Sequence, residues 1–148
     1  MYQNQNSPVI NPDAIYDFDY VRQRAFWRNI AYRLTARNNR LLNFNDYYEQ
    51  LTNKSRRTFY NQLVPVRQIV GTVNRQHDFD AAFNPLREAT ANRWQRIRDA
   101  FIKDQILPPV ELHKIGDLYF VEDGHHRISV ARFSGQETIE ANVTEYGD

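Results

Sequence analysis

The residues best suited to chemistry lie in one run, Glu122-Asp123-Gly124-His125-His126-Arg127. We expect a strand before this run, a tight turn at Gly124 and a helix after it. The first N–H groups of a helix lack intrahelical acceptors and carry a partial positive charge, so they favour an anion. A glycine at the turn lets a phosphate approach the backbone. Arg127 would fork onto phosphate oxygens, and His125 and His126 would add ring N–H donors.

Asp123 precedes the turn and would repel an anion if it acted alone. It is expected to cap the helix, to orient a histidine or to hold a magnesium ion that bridges to phosphate. A purely structural alternative exists, because Asp-Gly is a common hairpin turn. Three potential cations in the first turn favour the anion-binding interpretation. Each cation there is destabilised by the helix dipole by roughly 0.3–1 kcal/mol, and a bound anion would offset this cost. A metal site from Asp123, His125 and His126 is disfavoured, because adjacent helical residues point about 100° apart.

Strand and helix patterns alternate in the second half of the chain. The predicted elements are a strand at 63–70, a helix at about 90–104, a hairpin at 110–115 and 118–122, a helix at about 124–133 and a strand at 137–146. Gly116 and Asp117 would form the hairpin turn, and Gly135 would end the last helix. Asn84 and Pro85 have the pattern of a cap followed by a proline at the first helical position. This order predicts an α+β fold with a small mixed sheet.

An N-terminal helical arm is predicted ahead of that sheet. The first residues are rich in Asn and Gln and are predicted to be disordered. Asp13 would cap a long helix that reaches about Asn38, with an apolar stripe from Ile15 to Leu34 that must pack on the domain or on a second copy of the chain. The predicted division is a disordered tail (1–12), a helical arm (13–60) and a domain (61–148).

Composition excludes several classes of protein. The 148 residues include no cysteine, so disulfides, zinc–cysteine sites and thiol nucleophiles are excluded. No apolar run approaches about 18 residues and the N-terminus lacks the pattern of a secretory signal, so we predict no membrane span and a cytoplasmic location.

The charges are unevenly distributed. Residues 22–57 hold nine Arg or Lys against two acids, whereas residues 110–148 hold three against eight. This asymmetry is typical of a solvated or self-paired helix face, or of a nucleic-acid surface. We expect the arginines of the arm to remain on its outer face.

Residues 119–135, Tyr-Phe-Val-Glu-Asp-Gly-His-His-Arg-Ile-Ser-Val-Ala-Arg-Phe-Ser-Gly, resemble the signature of the ParB/sulfiredoxin superfamily. The order of elements from about Leu63 to Tyr146 is similar to that fold, whereas the N-terminal helices lie outside the resemblance. The resemblance implies that the loop after the first strand faces the glycine turn. The predicted ligand-binding residues are therefore Arg75, His77, Asp123, Gly124, His125, His126 and Arg127.

Three branches of the superfamily share parts of this run. ParB partition proteins bind CTP phosphates through Gly-Glu-Arg; Gly124 matches, His125 and His126 replace the next two residues, and no later Glu-Asn-x-x-Arg motif follows, which disfavours a DNA-loading clamp. Sulfiredoxins carry Gly-Cys-His-Arg, and the missing cysteine excludes reduction of sulfinic acids. ADP-dependent free-serine kinases carry Asp-Gly-His-x-Arg, which the run matches at every specified position. Their acidic base has no glutamate counterpart here, and Asp78 is the positional candidate.

Three hypotheses about function follow. The first is a ParB-like domain that binds a nucleotide of unknown type, or another phosphorylated small molecule, with magnesium as a candidate ion and phosphoryl transfer as a further step. The second is a DNA-associated accessory or regulatory protein that uses the basic N-terminal helices. The third, a ParB-like nuclease, lacks a carboxylate cluster for metal ions. A second copy of the chain is a further candidate partner, through the N-terminal helices, and no catalytic residue is assigned.

Overall fold

The computed structural model describes residues 10–34 and 38–147, which form four α-helices and a six-stranded sheet. The helices are α1 (Pro12–Leu34), α2 (Phe44–Tyr48), α3 (Ala91–Ile102) and α4 (His125–Phe133). The strands are β1 (Leu42–Asn43), β2 (Arg56–Pro65), β3 (Ile69–Thr72), β4 (Val110–Ile115), β5 (Leu118–Asp123) and β6 (Thr138–Tyr146). The predicted α+β class, with a helix ahead of a mixed sheet, is confirmed.

The strand that leads into the predicted site lies inside the sheet, whose order is β1-β3-β5-β4-β6-β2. β5 pairs with β3 in parallel and with β4 in antiparallel orientation. β6 pairs in parallel with β4 and in antiparallel orientation with the edge strand β2. One face of the sheet packs under α4 through a core that includes Val121 and Ile128, and the other face packs under α2 through Phe44, Phe120 and Tyr146.

The β4–β5 hairpin, α4 and β6 form where local signals predict them. Gly116 has a φ of 59° in the hairpin turn. Gly135 has a φ of 72° and donates its N–H to the carbonyl of Arg132 at 3.2 Å, so it ends α4 as predicted. Alternate residues of β6, from Ile139 to Val143, are buried. Each of these signals acts within a few residues of the chain.

The strand predicted at 63–70 is wrong in extent. β2 ends at Pro65, a 3₁₀ turn covers Val66–Gln68, and β3 begins at Ile69. In the sheet, β3 and β2 are separated by β5, β4 and β6. One apolar run of the sequence therefore contributes to two distant strands, and the turn between them redirects the chain.

β2 begins at Arg56, ahead of the predicted strand. Its residues 56–63 are exposed, so they lack the apolar alternation by which a strand is predicted. Their conformation depends on pairing with β6, which extends from Arg56 opposite Tyr146 to Pro65 opposite Thr138. The predicted boundary between residues 60 and 61 falls inside β2, and the division into arm and domain stays a prediction.

The helix start predicted at Asn84 and Pro85 is wrong. The buried carboxylate of Asp80 accepts hydrogen bonds from the N–H groups of Ala82 and Asn84, both at 2.9 Å, and from the Asn84 side chain at 3.1 Å. Asn84 is thereby used in a closed turn, and Pro85 belongs to an isolated β-bridge. The helix α3 begins later, at Ala91.

α1 packs on the domain, as predicted, but through one face only. Phe18 and Val21 contact Trp94 of α3 and Val130 of α4, and the rings of Phe18 and Trp94 have centroids 5.7 Å apart. None of the described helices has the length and apolar character needed to cross a membrane. Residues 1–9 and 35–37, where the tail and the last turn of the arm helix are predicted, lie outside the described residues.

The predicted apolar stripe of α1 is wrong in part. Ile15, Phe26 and Leu34 are 43%, 59% and 83% exposed. At 100° per residue, Phe26 lies about 80° around the helix axis from the buried Phe18, so the two cannot share one narrow interface.

The expectation that the arginines of the arm stay on its outer face is wrong for two of them. Arg22 donates to Glu88 at 3.3 Å and to the carbonyl of Pro85 at 3.2 Å. Arg28 pairs with the buried Asp80 at 3.4 Å. These arginines attach α1 to the loop before α3.

Candidate functional site

The turn between β5 and α4 requires glycine for reasons internal to the fold. Gly124 has a φ of 112° and a ψ of 22°, in the left-handed region that strains a side chain. A Cβ at this position would also lie 2.4 Å from Cγ1 of Val110. Packing of the turn against β4 therefore accounts for the glycine without a ligand.

The start of α4 has the geometry that the sequence predicts. The N–H of Ile128 donates to the carbonyl of Gly124 at 2.9 Å. The N–H groups of residues 125–127 consequently have no acceptor within the helix. They carry the partial positive charge of the helix N-terminus, which favours a nearby anion.

Arg127 is largely engaged by the protein itself. Its Nη1 donates to the carbonyl oxygens of Pro108 and Pro109 at 2.6 and 3.0 Å, and its Nη2 donates to Oδ2 of Asp123 at 3.0 Å. The guanidinium therefore ties the segment before β4 to the turn before α4. These bonds occupy both terminal nitrogens of the guanidinium, which were expected to bind phosphate. They also identify Asp123 as the ion-pair partner of Arg127.

His125 is a buried, neutral side chain. Its Nε2 lies 2.7 Å from Oγ1 of Thr72, and its ring stacks on Phe79 with centroids 5.8 Å apart. The Thr72 hydroxyl also accepts the N–H of Arg75 at 3.0 Å and donates to the carbonyl of Val121 at 3.5 Å. Burial, and then the charge of Arg75, lower the pKa of His125 to about 3. His125 thus joins α4 to the end of β3.

His126 is buried as well, but its polar atom is not satisfied. The residue is 4% exposed, and its Nε2 has no hydrogen-bond partner among the described residues. Its ring meets the edge of Phe79 at a centroid distance of 5.2 Å. Burial, and then the charges of Arg75 and Arg93, lower the pKa of His126 to about 4.

The first turn of α4 is therefore not the cluster of three cations that the sequence suggested. Both histidines are neutral at pH 7 in the folded protein, because their pKa values lie near 3 and 4. Arg127 is the remaining cation of the turn, and its charge is paired with Asp123. Any anion held here must draw on donors from other elements.

A cleft of about 330 Å³ lies beside the start of α4, and donors from other elements line it. It is lined by Asn74, Arg75, Arg93, Ile97, Glu122, Asp123, Gly124, His125, His126 and Arg127. The loop after β3 forms one wall, α3 a second, and the end of β5 with the start of α4 the third. The structure thus brings together six of the seven predicted ligand-binding residues.

His77 is the predicted residue that does not join the cleft. It is exposed and lines a separate cavity with residues of α1, among them Asn29 and Arg33. Asp78, the positional counterpart of a catalytic base, forms ion pairs with Arg75 at 3.3 Å and with Arg87 at 3.4 Å. Its carboxylate therefore serves to hold the loop.

Sequence reasoning missed four residues that line the cleft, of which Arg93 is the cation; the others are Asn74, Ile97 and Glu122. Arg93 is exposed at the start of α3 and makes no ion pair with any described residue. It precedes Trp94 in α3, and the burial of Trp94 against α4 decides that Arg93 faces the cleft. Periodicity showed the buried face of α3, but not which element would cover it.

The described His, Asp and Glu side chains form no group of three or more that would hold a metal ion. Glu122 and Asp123 line the cleft, but the Glu122 carboxylate bonds His113 at 2.9 Å and that of Asp123 pairs with Arg127 at 3.0 Å. Magnesium is commonly held by one or two carboxylates together with phosphate oxygens and water, so a metal here would have to arrive with its ligand.

Comparisons with known proteins give a partial likeness to a solved structure. No family model matches the chain, and no curated protein does. Among solved structures, a sulfiredoxin from Arabidopsis thaliana is similar with a TM-score of 0.41 and 18% identity, over 55% of this chain and 83% of that chain. A likeness of this degree carries no argument about ligand or activity.

Proposed function

We propose that this protein binds a nucleotide or another phosphate-bearing small molecule in the cleft beside α4. The observation that carries the proposal is the buried, unpartnered Nε2 of His126 at the start of that helix. Leaving such an atom unsatisfied costs roughly 1–3 kcal/mol, and native proteins rarely do so without a functional reason. In the tautomer with its proton on Nε2, His126 would donate to a ligand oxygen.

The electrostatics of the cleft support an anionic ligand. Arg93 carries a charge that no described carboxylate pairs, and Arg75, whose Nε pairs with Asp78 at 3.3 Å, lines the same cleft. Together with the N–H groups of residues 125–127, these side chains offer donors from three elements. Phosphate is the common biological anion with enough oxygen acceptors to use donors from several directions.

The DNA-associated alternative receives less support. It relied on the positive charge of the arm, but Arg22 and Arg28 are turned toward Glu88 and Asp80. These two pairings reduce the positive charge that the arm offers to the phosphates of a duplex. The nuclease alternative gains nothing from the described carboxylates, which form no metal-binding group.

Calorimetry with the full chain would test the proposal. The titrants are inorganic pyrophosphate, ADP, ATP and CTP, each with and without magnesium. Arg93→Ala should weaken binding by roughly 1.5–3 kcal/mol, the contribution of a hydrogen bond to a charged group. Arg96→Ala is the matched control, because Arg96 is also exposed on α3 but does not line the cleft. Absence of binding across the panel, or equal losses in the two variants, would refute the proposal.

A further inference from the structure

α1 carries a second row of mostly apolar residues on the side that faces away from the domain. The buried face of the helix consists of Ala14, Phe18, Val21 and Ala25. The second row, called here the outer stripe, has residues spaced alternately four and three apart: Tyr16, Tyr20, Gln23, Trp27, Ile30 and Leu34. At 100° per residue the outer stripe fits a sector of about 80°, whose centre lies about 170° around the axis from that of the buried face.

The outer stripe is exposed although most of its members are apolar. Tyr16, Trp27 and Leu34 are 71%, 65% and 83% exposed. Tyr20 is 55% exposed, and its ring meets the ring of Phe133 in α4 at a centroid distance of 6.2 Å. A continuous row of large apolar side chains on a protein surface is typical of an interaction site.

The spacing of the outer stripe indicates the shape of its partner. Apolar residues that alternate three and four positions apart repeat every 3.5 residues on average, which is the contact line of two helices packed lengthwise. The outer stripe extends about 27 Å along the axis, at 1.5 Å per residue. A second α-helix of similar length fits this line.

The charges of α1 favour a second copy of the same helix as that partner. The charged residues of its first part are all acids: Asp13, Asp17 and Asp19. Those of the rest are all arginines: Arg22, Arg24, Arg28 and Arg33. Asp17, Arg22 and Arg28 pair with the domain, and the other four form no ion pair with any described residue. One end of the helix is thus negative and the other positive, so two copies complement each other when they run in opposite directions.

We propose that α1 pairs in antiparallel orientation with α1 of a second copy of the chain, through the outer stripe. A two-fold axis beside Ala25 aligns each member with one from the other copy: Tyr16 with Leu34, Tyr20 with Ile30 and Gln23 with Trp27. The inference is independent of ligand binding, since no residue of α1 lines the cleft beside α4.

The same alignment pairs two of the remaining charges. Asp19 and Arg33 flank the outer stripe on the same side, two heptads apart. In the antiparallel pair, Asp19 of each copy lies beside Arg33 of the other, and charges at such flanking positions set the orientation of paired helices. A parallel pair would bring the two acidic halves together and would leave Arg33 far from Asp19.

Sedimentation of the full chain over a range of concentrations tests the dimer. The parent should pass from monomer to dimer as the concentration rises, and Trp27→Glu should stay monomeric because it places a charge in the contact. Ile106→Glu is the control and should dimerise like the parent, because Ile106 is 98% exposed but lies outside α1. A parent that stays monomeric, or equal behaviour of the two variants, would overturn the inference. Should Trp27→Glu fail to fold, Leu34→Glu decides in the same way.

Reversal of the flanking charges tests the alignment. Asp19→Arg and Arg33→Asp should each weaken dimerisation roughly tenfold, because each removes two exposed ion pairs and adds repulsion. The double variant should recover the affinity of the parent, since the pairs form again with opposite sign. A double variant that dimerises no better than the single variants contradicts the alignment.

Disulfide cross-linking tests the orientation, because the parent has no cysteine. A mixture of Tyr16→Cys and Leu34→Cys chains should form a covalent dimer under mild oxidation, since facing positions lie within reach of a disulfide. Either variant alone should stay unlinked, because its two cysteines would be about 27 Å apart along the axis. A covalent dimer of one variant alone would indicate a parallel pair and overturn the antiparallel one.

Discussion

The start of α4 and the helix α1 use their polar side chains in opposite ways. Two arginines of α1 are paired with carboxylates of the domain, and the buried face of the helix is apolar. At the start of α4, His126 buries an unpartnered nitrogen and the nearby Arg93 has no described ion-pair partner. Arg22 and Arg28 thus attach α1 to the domain, whereas Arg93 keeps a charge that no described carboxylate pairs. Ion pairing distinguishes Arg22 and Arg28 from Arg93; buried polar atoms without a hydrogen-bond partner occur in both regions, since Nε of Arg28 is also one.

The largest expected effect tests α1 as part of the folded unit. Phe18→Ala should lower the free energy of unfolding by about 3–5 kcal/mol, because it leaves a cavity against Trp94 and Val130. Phe26→Ala is the matched control on the same helix; this side chain is 59% exposed, and its loss should cost about 0.5 kcal/mol or less. Urea unfolding of both variants measures the difference. Equal costs would mean that α1 is not anchored through Phe18.

The second effect is a loss of stability in acid that originates at α4. His126 has a pKa of about 4 when folded, against 6.5 when unfolded, so the unfolded chain binds the extra proton between these values. Stability should therefore fall as the pH is lowered below 6.5, by up to about 1.4 kcal/mol per pH unit for this residue. His125 adds the same dependence, down to about pH 3.

Urea midpoints between pH 7 and pH 4.5 would measure this dependence. His126→Gln should reduce the slope, while Gln76→Ala, a change without a titratable group in the neighbouring loop, should leave it unchanged. A parent protein with a flat profile across this range would show that the histidines are not buried in neutral form.

The third effect separates two of the three arginines that line the cleft beside α4, Arg127 and Arg93. Arg127→Ala should cost roughly 1.5–3 kcal/mol of stability, because its guanidinium bonds two carbonyls and a carboxylate across two segments. Arg93→Ala should change stability by about 0.5 kcal/mol or less and act on ligand binding instead. Denaturant unfolding and calorimetry on the same preparations would compare them. If Arg127→Ala weakens ligand binding but leaves the free energy of unfolding unchanged, the structural role assigned to Arg127 is wrong.

The smallest effect is stabilisation by an anion. Pyrophosphate at ten times its Kd should stabilise the folded chain by about 1.4 kcal/mol through mass action. Thermal unfolding should show a rise in Tm for the parent and for Phe26→Ala, and a smaller rise for Arg93→Ala at the same concentration. A rise of equal size in Arg93→Ala would place the anion outside the cleft.

Much of the candidate site could be predicted because its signals are local. The hairpin turn, the glycine at the start of α4 and Gly135 at its end each follow from backbone conformations set within a few residues. The loop residue Arg75 came from the resemblance and does line the cleft. His77 was predicted by the same route, but it lines another cavity. An ion pair between Arg75 and Asp78 closes the loop, and His77 lies inside that turn, away from the cleft.

The amino-acid sequence by itself determined that β5, a glycine turn and α4 follow one another, that no thiol chemistry is available and that α1 has a buried face. Tertiary structure alone decided that Arg127 bonds two segments of the chain together and that Arg93 lines the cleft. It likewise decided that His125 and His126 are neutral and that Glu122 is hydrogen-bonded to His113. It also decided that residues 56–63 form a strand, through pairing with β6. The physical reason is common to all of these. A turn or a cap depends on neighbours in the chain, whereas the satisfaction of a donor and the pKa of a buried ring depend on residues tens of positions away.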